Sequence, residues 1–186
     1  RTGVDHPVMK FMPTVIAGVF EIGTEPIADN RGDFARSYCG DEFRATGITF
    51  DVIQTNISRN HRRGTLRGTH YQAEPTPDPK LVRCTRGRIF DVAVDLRPQS
   101  DTFCRWAGAE LTPESQNALF VPAGCAHGFL TLEDNCEIEY LMGAAYVADL
   151  ARGVRWDDPA FAIEWPSTPV VMSDRDASYP DYAVEI

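Results

Sequence analysis

Apolar and polar positions alternate with a period of two along most of this chain. The clearest case runs from position 89 to 96, where apolar residues at 90, 92, 94 and 96 alternate with residues that include Asp91 and Asp95. Side chains at every second position share one face of a β-strand, so this period predicts a strand rather than a helix. Related patterns predict further strands over residues 14–22, 48–58, 65–72, 80–85, 105–111, 118–121, 128–132 and 136–142.

Turn-forming residues separate these predicted strands, for example at positions 85–87, 98–100, 122–124 and 133–135. Only two helices are predicted, one over residues 40–45 and a short one near Ser173, where Ser or Asp could provide the N-terminal cap. Many short strands at a spacing of about 8–12 residues are typical of β-sandwiches and barrels. We therefore predict an all-β fold, a small barrel with a usable mouth, in a single domain that covers residues 1–186 and has irregular ends.

Composition limits the classes of function. The chain has 186 residues, 43% of them hydrophobic, and a net charge of −9, which is unfavourable for binding nucleic acid polymers. No apolar run approaches the roughly 20 residues of a membrane-spanning helix. The five cysteines are odd in number and form no CxxC pair, which predicts free thiols in a reducing cytoplasm and disfavours a zinc site built on cysteine. We therefore expect a cytoplasmic protein with no nucleic acid or membrane partner.

One stretch of this acidic chain is strongly basic. Residues 59–88 hold eight of the 18 basic residues but only two acids, Glu74 and Asp78. Such a cluster suits a small anion such as phosphate or diphosphate, because arginine forks pair with phosphate oxygens. The alternative is a solvated face that is balanced by acids from elsewhere in the fold.

The same stretch contains Lys80, one of only two lysines in the chain. A compact ammonium can act as a point charge or change its protonation state where arginine cannot. Its position among so many arginines therefore indicates a specific task. The alternative is an exposed lysine on the loop that follows Pro79.

A second motif, PAGCAH over residues 122–127, fits the PxGxxH pattern that is common in cupin-type jelly rolls, where the histidine points into the barrel. In metal-binding cupins an earlier strand supplies an HxH pair, but the matching strand here reads HYQ over residues 70–72, and no HxH occurs in the chain. Too few imidazole ligands remain for a metal site. We therefore expect no metal, and predict that His70 and His127 act as acid–base or hydrogen-bonding groups. The alternative for His127 is a core histidine with satisfied hydrogen bonds.

Six motifs occur in an order that resembles the dTDP-4-dehydrorhamnose 3,5-epimerase family. They are RGTHYQ (67–72), KLVRC (80–84), FDVAVDLR (90–97), VPAGCAHGF (121–129), EIEY (137–140), and VRWDDP with IEWP (154–166). The resemblance extends over residues 14–180 and also takes in DNRG (29–32) and QTN (54–56). It implies a metal-free, cofactor-independent double-stranded β-helix (jelly roll) that usually forms a homodimer. It also implies a nucleotide-linked 4-keto-6-deoxyhexose as the substrate.

The chemistry of such a substrate explains these residue types. C3 and C5 of the sugar both adjoin the C4 ketone, so removal of either proton gives an enolate, and a proton returned to the opposite face inverts the carbon. The reaction needs a base, an acid on the other face, and a cation or donor at O4. The resemblance implies that His70 is the base, that Asp176 holds the imidazole in the useful tautomer, that Tyr140 is the acid, and that Lys80 stabilises charge on O4.

The resemblance also implies a set of substrate-binding residues. Arg67 and His127 line the same pocket in the family. Four further residues match positions at or near the nucleotide and diphosphate: Arg31, Gln54, Asn56 and Arg175.

Other interpretations of these residues stay open. Tyr140 could be a core tyrosine with a satisfied hydroxyl, and Asp176 could cap the C-terminal helix. Asp91 and Asp95 resemble a catalytic dyad, but we expect them to be structural partners of arginines.

Strict alternation raises a conflict within the first motif. It places Arg67 and His70 on opposite faces of their strand, although both are wanted at the pocket. Gly68 between them could mark a bulge that redirects one side chain. Alternatively, one of the two faces a strand of a dimer partner.

The chain departs from the family pattern mainly at the nucleotide end and the pocket rim. The departures are Ile27, Arg36, Thr55, Ile57, Thr69, Leu141 and Ala151. They leave the proton-transfer residues in place but leave open the nucleobase, the exact sugar, and whether both carbons are inverted. The rival interpretations are a C3-only epimerase or ketoisomerase on a related nucleotide sugar, a non-catalytic sugar-nucleotide-binding cupin, and a metal-dependent cupin.

Overall fold

The computed structural model describes residues 8–183, and within this range the chain forms two facing antiparallel sheets and a separate hairpin. The strands are β1 (Met9–Pro13), β2 (Phe20–Thr24), β3 (Ile27–Asp29), β4 (Gly32–Phe34), β5 (Gln54–Asn60), β6 (Leu66–Gln72), β7 (Lys80–Arg86), β8 (Ile89–Asp95), β9 (Trp106–Leu111), β10 (Ala118–Val121), β11 (Cys125–Thr131), β12 (Cys136–Met142) and β13 (Ala151–Gly153). The helices are α1 (Gly40–Ala45), a single 3₁₀ turn (Ala148–Leu150) and α2 (Asp174–Ala177).

The chain crosses between the two sheets at most of its connections from β5 to β12. One sheet has the order β1-β2-β10-β7-β12-β5, the other has the order β13-β6-β11-β8-β9, and β3 pairs with β4 in a separate two-stranded hairpin. This winding is a double-stranded β-helix, so the prediction of an all-β jelly roll with short peripheral helices is confirmed. Apolar side chains such as Val82, Leu119, Phe129 and Ile138 pack together between the sheets and form the core.

Strand β8 is buried on both faces, and its two sets of alternating side chains pack into different parts of the protein. Residues of the parity of Asp91, such as Ala93, belong to the core between the sheets. The apolar residues of the other parity, such as Val92 and Val94, pack outside the sheet against Val154 and other residues of the C-terminal segment. The alternation predicted for this strand is present. Its apolar residues Val92 and Val94 face outward, whereas the positions that alternate with them, including Asp91, face the space between the sheets.

Both predicted helices are present. Phe43 of α1 is fully buried and its ring packs 5.5 Å from those of Phe50 and Phe120. The N-terminal cap of α2 is Ser173, whose Oγ accepts a hydrogen bond of 3.1 Å from the Asp176 N–H. No helix within residues 8–183 is both long and apolar enough to cross a membrane, and all five cysteines are free thiols.

Two predicted strands begin later than expected. Residues 14–19 form a turn, and β2 starts only at Phe20; Ile16 and Val19 are buried there as part of the core without joining a ladder. Likewise residues 48–53 precede β5 as irregular chain, with Phe50 packed against α1. In both places buried side chains such as Ile16, Val19 and Phe50 contribute to the core without strand pairing, so the apolar pattern alone did not distinguish these segments from strands.

Candidate active site

One cavity of about 610 Å³ opens between the two sheets. Strands of both sheets contribute to it, and the segment that leads into α2 closes one side. Eight of the ten residues predicted for the site line this cavity: Asn56, Arg67, His70, Lys80, His127, Tyr140, Arg175 and Asp176. Arg31 and Gln54 do not.

His70 and Asp176 form a hydrogen-bonded pair at the cavity wall. The imidazole Nε2 lies 2.7 Å from Asp176 Oδ1, and Asp176 Oδ2 accepts a bond of 3.0 Å from the Gly68 N–H. Burial favours the neutral acid, but these hydrogen bonds outweigh it and hold the pKa of Asp176 below its usual value. The ionised carboxylate accepts the Nε2 proton, which leaves the Nδ1 lone pair free to take a proton from a substrate.

The pairing of β6 with β11 explains how Arg67 and His70 reach the same cavity. His127 pairs with His70 and Phe129 with Arg67, so two steps along β11 match three steps along β6. One extra residue therefore lies in β6, which is a β-bulge. Gly68 has φ +124°, and a Cβ there would lie 2.5 Å from the backbone of β11, so only glycine fits. The bulge predicted at Gly68 is confirmed.

Tyr140 enters the cavity from β12, on the facing sheet. Its ring lies edge-on to that of His127, with centroids 5.8 Å apart. Burial raises the pKa of the phenol, the negative charge of Asp91 raises it further, and Arg67 and Ser58 only partly offset this. The phenol therefore keeps its proton at neutral pH, as a group that donates a proton must.

His127 is hydrogen-bonded to Asp91, a residue that the sequence analysis did not assign to the site. The two side chains are buried, and Nε2 lies 2.7 Å from Oδ1. The prediction that Asp91 pairs with an arginine is therefore wrong, whereas Asp95 does pair with Arg97 at 2.8 Å. Burial raises the pKa of Asp91, although His127 and Lys80 oppose this. The signal for Asp91 in the sequence is its parity in β8, which faces the space between the sheets.

Lys80 is buried at the cavity rather than exposed on a loop. Its Nζ lies 2.8 Å from Asp78 Oδ2, and only 6% of its side chain is exposed. An ammonium has three N–H donors, so one carboxylate partner leaves donors for an oxygen in the cavity. Asp78 is a second site residue that sequence analysis missed, because it lies in the irregular segment before β7.

Arg67 is held in place by side chains of β5. Its Nε donates to Asn60 Oδ1 at 2.7 Å, and Asn60 Nδ2 donates to Ser58 Oγ at 3.2 Å. Ser58 and Asn60 share the parity of Asn56, so the three side chains follow one face of β5. This shared parity was the available signal for Ser58 and Asn60, which were not predicted as site residues.

Two predicted substrate-binding residues lie outside the main cavity. Arg31 is in the turn between β3 and β4, with 85% of its side chain exposed and Asp29 as its ion-pair partner. Gln54 starts β5 and donates to Asn56 Oδ1 at 3.1 Å. It lines a smaller cavity, which shares Asn56 with the main one.

The basic stretch from residue 59 to 88 does not converge on one anion site. Of its eight basic residues, only Arg67 and Lys80 line the main cavity. Arg59 pairs with Glu137 at 2.8 Å, and Arg88 pairs with Glu110 and Glu133. For these arginines the alternative holds, a solvated face balanced by acids. Among residues 8–183, no group of three or more His, Cys, Asp or Glu side chains is placed to hold a metal ion.

Several departures from the family pattern have structural partners. Thr69 is fully buried, and its Oγ1 donates to the Val154 carbonyl at 3.1 Å. Arg36 pairs with Glu42 at 2.5 Å. Leu141 packs in the core beside α1. None of these three residues lines the main cavity.

The fold and the cavity together define a class of protein. A jelly-roll barrel with an imidazole on one sheet, a carboxylate from α2 bonded to that imidazole, and a protonated phenol on the other sheet can remove a proton from carbon and return one to the opposite face. This combination defines the cupin-type carbohydrate epimerases. The sequence model of the dTDP-4-dehydrorhamnose 3,5-epimerase family matches residues 13–183, and the chain belongs to that family.

Individual relatives agree with this membership. The dTDP-4-dehydrorhamnose 3,5-epimerase of Sinorhizobium fredii is 44% identical over 179 residues, which cover 96% of this chain and 92% of the relative. The crystal structure of the Bacillus anthracis enzyme of the same name, with TDP and PPi bound, has a TM-score of 0.90 at 36% identity and covers 94% of this chain and 100% of that one. A dTDP-4-dehydrorhamnose 3-epimerase of Streptomyces niveus is 38% identical, over 90% of this chain and 81% of that entire protein. The chain is an isomerase of the dTDP-4-dehydrorhamnose 3,5-epimerase type.

Proposed function

We propose that this enzyme converts dTDP-4-dehydro-6-deoxy-D-glucose to dTDP-4-dehydro-L-rhamnose by inverting C3 and C5. One observation carries the proposal: His70 on β6 and Tyr140 on β12 enter the same cavity from opposite sheets. Inversion at a carbon needs a base and an acid on opposite sides of one space. Membership of the family, and the S. fredii relative named for this activity, support the proposal.

Each step of the reaction has a residue suited to it. His70, with Nε2 bonded to ionised Asp176, takes the proton from C3 or C5 through Nδ1 and becomes an imidazolium that the carboxylate stabilises. The electron pair moves to O4 and forms an enolate, whose charge the buried ammonium of Lys80 stabilises. Tyr140 then gives its phenolic proton to the opposite face of the carbon.

The remaining polar residues of the cavity suit the nucleotide diphosphate. Arg67 and Arg175 supply guanidinium groups at the cavity wall, and Asn56 supplies an amide beside them. His127 lies between Asp91 and Tyr140, where it can bind a sugar hydroxyl or fix the phenol. Gln54 lies next to Asn56 in the adjoining cavity and extends this polar surface.

Isotope exchange tests the proposal directly. The enzyme is given dTDP-4-dehydro-6-deoxy-D-glucose in D₂O, and the positions of deuterium and the configuration of the product are read by NMR. We expect deuterium at both C3 and C5 and a product with both centres inverted. The absence of exchange would instead indicate a non-catalytic sugar-nucleotide-binding protein.

A second candidate function is epimerisation at C3 alone. It is favoured by the S. niveus relative, a 3-epimerase that covers 90% of this chain. The same proton-transfer residues serve both reactions, so the choice depends on whether the intermediate can turn to present C5 to His70. Deuterium at C3 only, with C5 unlabelled after prolonged reaction, would establish this candidate.

We also propose that the enzyme is a homodimer. β5 lies at the edge of its sheet and exposes Ile57 at 60%, and the β3–β4 hairpin exposes Phe34 at 68%. Two apolar surfaces on one chain can cover each other around a two-fold axis. The hairpin of one subunit would then lie near β5 of the partner, next to the cavity mouth at Asn56. This pairing would account for the place of Arg31 outside the cavity of its own chain.

Light scattering after size-exclusion chromatography tests the dimer. We expect a dimer mass for the wild type and a monomer mass for Phe34→Ser and for Ile57→Lys. Val15→Ser removes an equally exposed apolar side chain from the turn before β2 and serves as the matched control. A wild-type monomer at micromolar concentration would refute the dimer.

Cytoplasmic location is proposed separately, because five free thiols persist best in a reducing compartment.

A further inference from the structure

Tyr179 packs against His70 but lies outside the cavity. The phenol and imidazole rings are edge to face, with centroids 6.4 Å apart and planes at 70°. His70 and Asp176 line the cavity, whereas Tyr179 does not. A substrate in the cavity therefore meets His70, and Tyr179 acts on the reaction only through its neighbours.

Gly153 provides the space for the Tyr179 ring. β13 pairs with β6 so that Gly153 stands opposite His70. A Cβ built on Gly153 would lie 2.3 Å from Tyr179 Cζ and 2.5 Å from its hydroxyl oxygen. The ring thus occupies the place that a side chain at position 153 would take. Any residue larger than glycine would displace the ring from His70.

The segment that carries Tyr179 is fixed on two further sides. The guanidinium of Arg175 lies over the Tyr179 ring, 6.0 Å from its centroid. Arg155 donates to the Tyr179 carbonyl at 3.4 Å. One ring therefore contacts both His70 and the helix that carries Asp176, so it connects the two halves of the imidazole–carboxylate pair.

We propose that Tyr179, seated on Gly153, is a positioning residue that holds the His70 imidazole with Nε2 toward Asp176 and Nδ1 toward the cavity. The inference rests on the proposed role of His70 as the base. Without the ring, the half-exposed imidazole has room to turn away from Asp176. Misplacement of a reacting group by about 1 Å can cost about 100-fold in rate.

Three variants test this role. Tyr179→Leu removes the aromatic edge, Gly153→Ala places a methyl group where the ring lies, and Tyr179→Phe keeps the ring. We expect the first two to lower kcat by about 10- to 100-fold. Tyr179→Phe should retain the wild-type rate, because the hydroxyl makes no hydrogen bond of ordinary length with the described residues. Thermal unfolding of each variant shows whether it is folded.

A spectroscopic readout separates positioning from general stability. The imidazole ¹⁵N signals of His70, assigned with His70→Asn, report the hydrogen bond to Asp176. We expect them to shift in Tyr179→Leu and Gly153→Ala and to stay unchanged in Tyr179→Phe. A wild-type rate for Tyr179→Leu would overturn the inference. So would a slow Tyr179→Leu enzyme whose His70 signals match those of the wild type. A Tyr179→Phe enzyme as slow as Tyr179→Leu would overturn it as well. A wild-type enzyme without turnover would refute the proposed function, while the His70 signals would still test the position of the ring.

Discussion

The carboxylate of Asp176 lies 2.7 Å from the His70 imidazole, although 106 positions separate the two residues in the chain. The segment before α2 makes this contact possible, because it is hydrogen-bonded to the start of β6. Leu66 N–H donates to the Val171 carbonyl at 2.8 Å, and Val170 N–H donates to the Gly64 carbonyl at 2.8 Å. The imidazole–carboxylate pair is therefore assembled only when the C-terminal segment docks on the barrel.

Removal of the Asp176 charge should disable the base. Asp176→Asn no longer favours the tautomer with Nε2 protonated, nor does it stabilise the imidazolium, so we expect kcat to fall by about 10²- to 10⁴-fold. The far-ultraviolet circular dichroism spectrum should not change. Asp174→Asn, on the exposed side of the same helix, is the control and should retain full activity. A wild-type rate for Asp176→Asn would mean that His70 needs no carboxylate.

Removal of the Tyr140 hydroxyl should separate the two halves of the reaction. Tyr140→Phe keeps the ring that packs on His127 but cannot donate a proton, so we expect epimerisation to fall by about 10²- to 10⁴-fold. His70 remains, so the substrate should still exchange its C3 or C5 proton with D₂O and retain its configuration. NMR of the recovered substrate measures this exchange. Undiminished inversion in Tyr140→Phe would remove the phenol from the mechanism.

The bulge at Gly68 should tolerate no side chain. In Gly68→Ala the methyl group meets the Gly128 backbone and the backbone keeps a positive φ, so we expect a loss of about 1–3 kcal/mol in the free energy of unfolding. Activity should also fall, because His70 is two residues away. Gly47→Ala is the control: its φ is also positive, +82° against +124° at Gly68, but no described residue lies within 4 Å of the new Cβ. Equal stability losses in the two variants would show that the close approach of β11 has no cost of its own.

Asp95 should make stability depend on pH in the acid range. It is fully buried, and although burial raises its pKa, hydrogen bonds from Arg97, Ser100 and Thr102 lower that pKa to about 2, from 3.8. Because the folded-state pKa is the lower one, the stabilisation is complete above the pKa of the unfolded chain and is lost as the pH falls toward about 2. The difference corresponds to about 2 kcal/mol.

Chemical denaturation at a series of pH values measures this contribution. Asp95→Asn should flatten the dependence of the free energy of unfolding on pH between about pH 5 and pH 2. Asp101→Asn changes an exposed acid of the loop that follows β8 and should leave the dependence intact. An Asp95→Asn curve parallel to that of the wild type would show that other carboxylates dominate acid unfolding.

Local pattern predicted the strands of the two sheets more accurately than the irregular segments that pack beside them. The strands from β6 to β12 were placed within a few residues, because each satisfies its backbone in a ladder and alternates along its length. Residues 14–19 and 48–53 were predicted as strand but are irregular. Ile16, Val19 and Phe50 of these segments are buried in the core, and a single sequence does not distinguish that kind of burial from burial in a sheet.

The order of residues along the chain was enough to predict the all-β architecture, the family, and eight of the residues that line the cavity, because strand periodicity and ordered motifs are local properties of the chain. Three relationships became visible in the folded barrel: Asp91 faces His127 rather than an arginine, Asp78 pairs with Lys80, and Tyr179 packs beside His70. These relationships depend on which faces of distant strands meet and on where the C-terminal segment docks. Such choices follow from the packing of the whole barrel, which no window of neighbouring residues specifies.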